Sequence, residues 1–132
     1  MRATVLTAVL PDYRSSFISE LESRAAGSGL QVQFVCGDVH TDATVRSVSH
    51  LGVHILHNRH LLGRRFLWQS GALRYIVRPH VLVVDLNPRS LTAWLALISR
   101  KMLRKRTIVW GHILPRRGEN AATAPLRRFM RR

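Results

Sequence analysis

Val81-Leu82-Val83-Val84-Asp85-Leu86-Asn87-Pro88-Arg89-Ser90 decides the fold. Five of its first six residues are apolar, and Asn-Pro interrupts them. A short run of that kind suits a strand covered on both faces, as in a parallel sheet. Asn87 is placed to cap the next helix, with Pro88 at the first helical position. Leu91, Trp94, Leu95, Ile98 and Met102 then recur at i, i+3, i+4, i+7 and i+11, the clearest helical stripe in the chain. Arg100, Lys101, Arg104 and Lys105 fall in its last turns, where the helix dipole favours cations. Residues 107–110 read as the next strand, closed by Gly111.

Working back toward the N-terminus, residues 3–10 form an apolar run ending at Pro11 and read as a buried strand. Residues 15–26 place Phe17, Ile18, Leu21 and Ala25 on one helical face, and Gly27-Ser28-Gly29 stops that helix. Residues 30–36 read as a second strand, 37–49 as a polar loop and 53–56 as a weak third strand. Residues 66–77 read as a helix, weakened by Gly71 and stopped before Pro79. Residues 124–132 begin a basic helix. Strands and helices thus alternate, which predicts a doubly wound α/β domain with a parallel sheet of about five strands.

The chain has 132 residues, 46% of them apolar, enough for one domain with a real core. Its formal charge is +14, all of it in the second half: residues 1–63 hold five Arg and five acids, and residues 64–132 hold sixteen Lys or Arg and two acids. Such an excess suits either a solvated surface or contact with phosphate on anionic lipid or nucleic acid. Cys36 is the single cysteine, so an intrachain disulfide and a cysteine zinc site are excluded. No stretch approaches the ~20 apolar residues of a membrane-spanning helix. These features fit a cytoplasmic chain.

Ligands of doubly wound sheets bind beyond the carboxyl ends of the strands. That rule directs attention to residues 11–14, 37–38, 85–90 and 111–117. Arg89 and Ser90, in the first turn after the 81–86 strand, can hold a phosphate or a sugar hydroxyl, or simply serve as cap and solvated side chain. His112 can donate to a sugar or phosphate oxygen or move a proton, or have no such role. Asp12, Tyr13 and Arg14 follow the first strand, near the switch point, and either bind a ligand or form the turn. His54, His57 and His60 straddle the weak strand and a loop with no nearby acid, so no metal is expected there. Neither a Walker lysine loop nor Gly-x-Gly-x-x-Gly occurs, and no cofactor is expected.

Val5-Leu6-Thr7-Ala8-Val9-Leu10-Pro11-Asp12-Tyr13-Arg14 resembles the first strand and acceptor loop of family 4-like glycosyltransferases with the GT-B fold. Trp68-Gln69, Arg78-Pro79, Asn87-Pro88-Arg89-Ser90, Trp94 and Trp110-Gly111-His112 follow in the order seen in one branch of that family. His80 departs from it, since relatives often carry aspartate there. The resemblance implies a Rossmann-like, acceptor-side domain. It implies that His112 is catalytic and lines the cleft beside the donor sugar. Asp12, Tyr13, Arg14, Asn87, Arg89 and Ser90 would face a glycan or lipid-linked acceptor. The nucleotide-sugar donor would bind a second domain that has no counterpart in this sequence. Inactivity of the chain alone is therefore expected, whether it is a truncated gene product or half of a split enzyme. Relatives often act on lipid-linked acceptors, so peripheral attachment to the inner membrane face through anionic lipid is a further expectation. The alternative is a non-catalytic basic module for anionic membrane or nucleic acid, with nucleic acid the less expected partner.

Overall fold

A computed structural model describes residues 1–39, 52–111 and 123–130. Strand β1 (Arg2–Thr7) leads through a 3-10 turn (Asp12–Arg14) into α1 (Ser15–Gly27) and β2 (Gln31–Gly37). Next come β3 (Val53–Leu61), β4 (Phe66–Ser70), α2 (Leu73–Val77), β5 (Val81–Asp85), α3 (Leu91–Met102), β6 (Arg106–Trp110) and α4 (Ala124–Met130). The six strands form one sheet in the order β4-β3-β2-β1-β5-β6. Four of its five pairings are parallel, and β3 with β4 is antiparallel. The chain is an α/β protein of roughly Rossmann-like form, with one strand more than expected.

Two apolar layers flank the sheet. On one face α1 lays Ile18 against Val5, Leu10, Phe34 and Cys36. Across the sheet, Ile76 of α2, Ala93 and Ala96 of α3 and Met130 of α4 pack on Leu6, Val35, Leu82 and Val84. Alternate residues of β5 therefore serve different layers, Val83 one and Leu82 and Val84 the other. This is why the run at 81–84 is apolar throughout. Among the described residues no helix is long and apolar enough to cross a membrane.

Residues 66–77 correct the sequence reading. Phe66–Ser70 is a strand, buried at Leu67 and Gln69 and half-buried between them, and only Leu73–Val77 is helical. Gly71, at φ +80°, makes the break in a left-handed conformation that suits glycine. The β3–β4 hairpin does not stay at the sheet edge. Leu67 N–H donates to the Arg89 carbonyl at 2.9 Å, Gln69 N–H to Thr92 Oγ1 at 2.8 Å, and Gln69 Nε2 to the Thr7 carbonyl at 3.0 Å. The hairpin is thus pinned across the end of β1 onto the turn that opens α3.

Helix α3 starts three residues later than expected, at Leu91, and has a different inner face. An apolar stripe ordinarily marks the core side of a helix. Here the buried residues are Thr92, Ala93, Ala96 and Arg100, while Ile98 and Met102 are 56% and 79% exposed. Small side chains let the helix lie close to the sheet, which leaves the bulky stripe to one side. Arg100 is not a surface cation at the helix end. It is fully buried, with Nη1 donating to the carbonyls of Ile76 (2.8 Å) and Pro79 (3.0 Å), and Nη2 to those of His80 (3.0 Å) and Arg106. Its Nε donates to Thr107 Oγ1 at 2.9 Å. Burial pulls its pKa below the ordinary arginine value.

Candidate functional site

The path from β1 to β2 moves one way across the sheet, and the path from β5 to β6 moves the other. Their divergence makes a switch point at the carboxyl ends of β1 and β5. The 3-10 turn Asp12–Arg14 follows β1, residues 86–90 follow β5, Asp38 follows β2 and Gly111 follows β6. Asp12, Tyr13, Arg14, Asn87, Arg89 and Ser90 therefore share one edge of the sheet. His112, Arg116 and Arg117 lie outside the described residues.

That edge holds two clusters rather than one. The first belongs to the 3-10 turn. Arg14 sets its guanidinium over the Trp110 ring, 4.9 Å from its centroid, and 5.8 Å from that of Tyr13. Phe17 meets Trp110 at 6.0 Å between centroids. Such stacking holds a cation in place without ion pairing. Tyr13 and Asp12 remain exposed.

The second cluster surrounds a cavity of about 50 Å³ lined by Ala8, Val39, Asn58, His60, Arg64, Arg65, Phe66, Leu67, Asn87 and Arg89. Asn87 and Arg89 arrive from the β5–α3 turn, and Arg64 and Arg65 from the hairpin tip. Leu62, Gly63 and Arg64 all have φ between +51° and +66°, so the tip is left-handed at two residues that disfavour it. Asn58 forms part of the floor. Its Nδ2 donates to the carbonyls of Ala8 and Val39, each at 2.9 Å, and its buried Oδ1 has no partner among the described residues. Gly37 lies directly beneath that amide: a Cβ there would fall 2.0–2.1 Å from Nδ2, Oδ1 and Cγ of Asn58.

Two carboxyls stand among these groups. Asp38 accepts from Val39 N–H (2.8 Å) and Asn58 N–H (2.9 Å), and its Oδ2 meets His57 Nδ1 at 2.8 Å. Desolvation raises its pKa, but these hydrogen bonds and the nearby His57 together hold it below the ordinary carboxylate value. Asp38 is the acid that the sequence did not place beside the histidines. His54, His57 and His60 all lie within β3, and no group of three metal-ligating side chains occurs among the described residues. Asp85, at the end of β5, accepts the Ala8 N–H at 3.2 Å. Desolvation pushes its pKa up to about 6, against the lowering effect of that bond and of its own backbone N–H. A carboxyl poised near neutrality at a strand end is suited to proton transfer.

Several expectations about single residues change. Asn87 is not the cap of α3; its Oδ1 accepts Arg89 N–H at 3.1 Å within the preceding turn. Ser90 is the cap, 1% exposed, with its hydroxyl accepting Ala93 N–H at 3.1 Å. The Ser90 hydroxyl oxygen thus accepts from the first turn of the helix. Gly111 permits a close approach, but to Leu86: an added Cβ would meet the Leu86 Cβ at 3.0 Å. Sequence reasoning missed Asp85, Asn58, Arg64 and Arg65 as site residues. No family model matches the chain, and neither a curated protein nor a solved structure matches it.

Proposed function

We propose that this chain is the acceptor-side half of a GT-B-type glycosyltransferase, with the acceptor held at the switch point between β1 and β5. The observation that carries this reading is the convergence at the Ala8 peptide. Its N–H is held by Asp85 and its carbonyl by Asn58, with the 3-10 turn and the Arg89 turn on either side. An acceptor hydroxyl set there meets a carboxyl that holds or releases a proton near neutral pH. Asp85 would take the proton as the hydroxyl attacks the donor sugar, and Arg14 and Arg89 would orient polar groups of the acceptor. The donor requires an opposite wall that holds a nucleotide diphosphate, and by family resemblance His112 faces that wall. Without it, the entropic advantage of holding two substrates together is lost, and the leaving diphosphate lacks its electrostatic partners.

The test is a transfer assay with several nucleotide sugars, run on the pure chain and on the chain mixed with the product of any adjacent gene that encodes a second Rossmann-like domain. The expected result is no turnover alone, and turnover in the mixture that Asp85→Asn abolishes. Robust turnover by the pure chain, or an Asp85→Asn mixture as active as the parent, refutes the proposal.

A second reading, attachment to an anionic membrane, has its own observation. The groove that carries the exposed Ile98 and Met102 also holds Phe129 of α4, 67% exposed, with Lys101 and Lys105 on its lining and Arg128 next to Phe129 in sequence. Each basic residue near such a surface contributes about 1 kcal/mol, screened by salt. Sedimentation with vesicles should show binding to anionic lipid that weakens with salt and with Met102→Asp. Equal binding to neutral vesicles counts against this reading.

A further inference from the structure

We propose that the outer edge of β6 takes an extended segment of a partner protein as an added strand, one with apolar side chains along its length and acidic residues at its ends. This partner site is independent of sugar transfer.

The two edges of the sheet differ. At the β4 edge the hairpin is pinned onto the turn that opens α3, with Leu67 N–H donating to the Arg89 carbonyl and Gln69 N–H to Thr92 Oγ1. On the other side β6 is the last strand, and among the described residues no strand pairs with its outer edge. In an extended strand the N–H and C=O of one residue point to the same side, and the side alternates from residue to residue. The Trp110 carbonyl accepts Leu86 N–H at 2.7 Å and so faces β5. Arg106 and Ile108 share that direction, and the N–H and C=O groups of Thr107 and Val109 point outward. Such a row is a template for another chain, which proteins commonly guard with charge.

Both faces beside this edge are apolar. Thr107 and Val109 line a groove of about 570 Å³ walled by Trp94, Ile98 and Met102 of α3 and by Phe129 of α4. On the opposite face Ile108 and Phe17 are exposed on either side of Trp110 in the sequence of contacts. Side chains of an added strand alternate between the two faces and cover apolar groups on each. Lipid does not use such an edge, because hydrocarbon offers backbone groups no partner.

Charge decides what the partner is. Residues 86–132 carry twelve Lys or Arg and one acid. Lys101, Arg104 and Arg106 are exposed where α3 turns into β6, and none of them meets a carboxylate among the described residues. A second copy would set these cations against one another, whereas acidic residues flanking an added strand pair with them.

The experiment uses the intact chain and a fluorescein-labelled peptide of alternating valine and threonine with glutamate pairs at both ends. Anisotropy gives the affinity, and backbone amide NMR signals give the place. The expected result is saturable binding that weakens with salt. The Thr107 and Val109 amides should become protected from hydrogen exchange, while that of Ile108, already turned to β5, should not change. Methylating alternate backbone nitrogens of the peptide keeps its side chains and should weaken binding about tenfold or more, the effect of losing edge hydrogen bonds. Lysine in place of the glutamates should do the same, as should Lys101→Glu with Arg106→Glu in the protein. Equal binding of the methylated peptide means a side-chain groove without strand addition, and equal binding of the lysine peptide removes the charge selection; either overturns the proposal. So does the absence of binding, or concentration-dependent protection of Thr107 and Val109 in the chain alone, which assigns the edge to a second copy. Phosphatidylglycerol vesicles that displace the peptide without protecting these amides assign the face to lipid and overturn it as well.

Discussion

Asp85→Asn should make the protein more stable at neutral pH. The Asp85 carboxyl is pushed from 3.8 to about 6 by desolvation, with hydrogen bonds from Ala8 N–H and from its own backbone N–H in partial compensation. Its folded pKa lies above its unfolded value, so the folded state binds more protons between about pH 4 and 6. Stability therefore falls as pH rises through that window and is level above it. The displacement corresponds to about 3 kcal/mol at 1.36 kcal/mol per decade of proton affinity. Asparagine keeps an oxygen for the Ala8 N–H and stands in for the protonated carboxyl, and the value of about 6 already includes the effect of that bond. The expected gain at pH 7.5 is therefore about 3 kcal/mol, or roughly 11 °C in Tm for a chain of this length. At pH 4 the parent carboxyl is already protonated in the folded state, and the gain should nearly vanish. Thermal melts of both proteins from pH 4 to 8 give a difference curve whose rise near pH 6 belongs to this one carboxyl. A flat difference curve, or a variant less stable than the parent at pH 7.5, would refute the reasoning.

Three further substitutions probe the frame around the site. Arg100→Leu strips the donors from four backbone carbonyls and Thr107, and should cost about 3–5 kcal/mol by denaturant unfolding; Arg100→Lys should recover only a minor part, because an ammonium cannot reproduce the fork. Gly37→Ala drives a methyl into the Asn58 amide and should lower stability by about 1–3 kcal/mol while displacing the Asn58 signals in NMR spectra; a variant with parental stability and spectrum would contradict the contact. Ser90→Ala removes the cap of α3 and should cost about 1 kcal/mol by denaturant unfolding, whereas parental stability would contradict the capping role.

The parts of the fold visible in sequence are those where one period has no rival. Residues 81–84 are apolar on both faces because both faces are covered, and Leu91–Met102 repeats at helical spacing over three turns. Residues 66–77 offered no such contrast. Phe66, Leu67, Trp68, Leu73, Tyr75, Ile76 and Val77 satisfy a helix as well as a strand followed by a turn, and Gly71 reads as a weakness in the former or a hinge in the latter. Tertiary bonds decide between them: Gln69 spans to Thr7 and Thr92, 62 and 23 residues away, and no local window contains those partners. Arg100 misled for the same reason. Its position in the last turn suits a solvated cation, and only the return of residues 76–80 beneath α3 turns it into an internal clamp.

The candidate site divides along the same line. Asp12–Arg14 and residues 85–90 were visible because they follow recognisable strands, and the edge they occupy follows from the right-handed connections of a parallel sheet. The Asn58 recess was not, because it is made by register. Gly37 pairs with Leu56, which brings Asn58 over the glycine and Asp38 beside His57 and Asn58. A shift of one residue would turn Asn58 to the opposite face of β3 and remove its bonds to Ala8 and Val39. The hairpin then adds Arg64 and Arg65 from a part of the chain that reads as a loop before a helix. Acceptor, cations and carboxyls thus meet through four separate strand ends, none of which carries a recognisable motif by itself. The basic second half of the sequence gains a specific meaning from this arrangement. Its excess charge is not spread evenly: Arg100 is consumed inside the fold, while Arg65 and Arg89 line the recess beside Asn58.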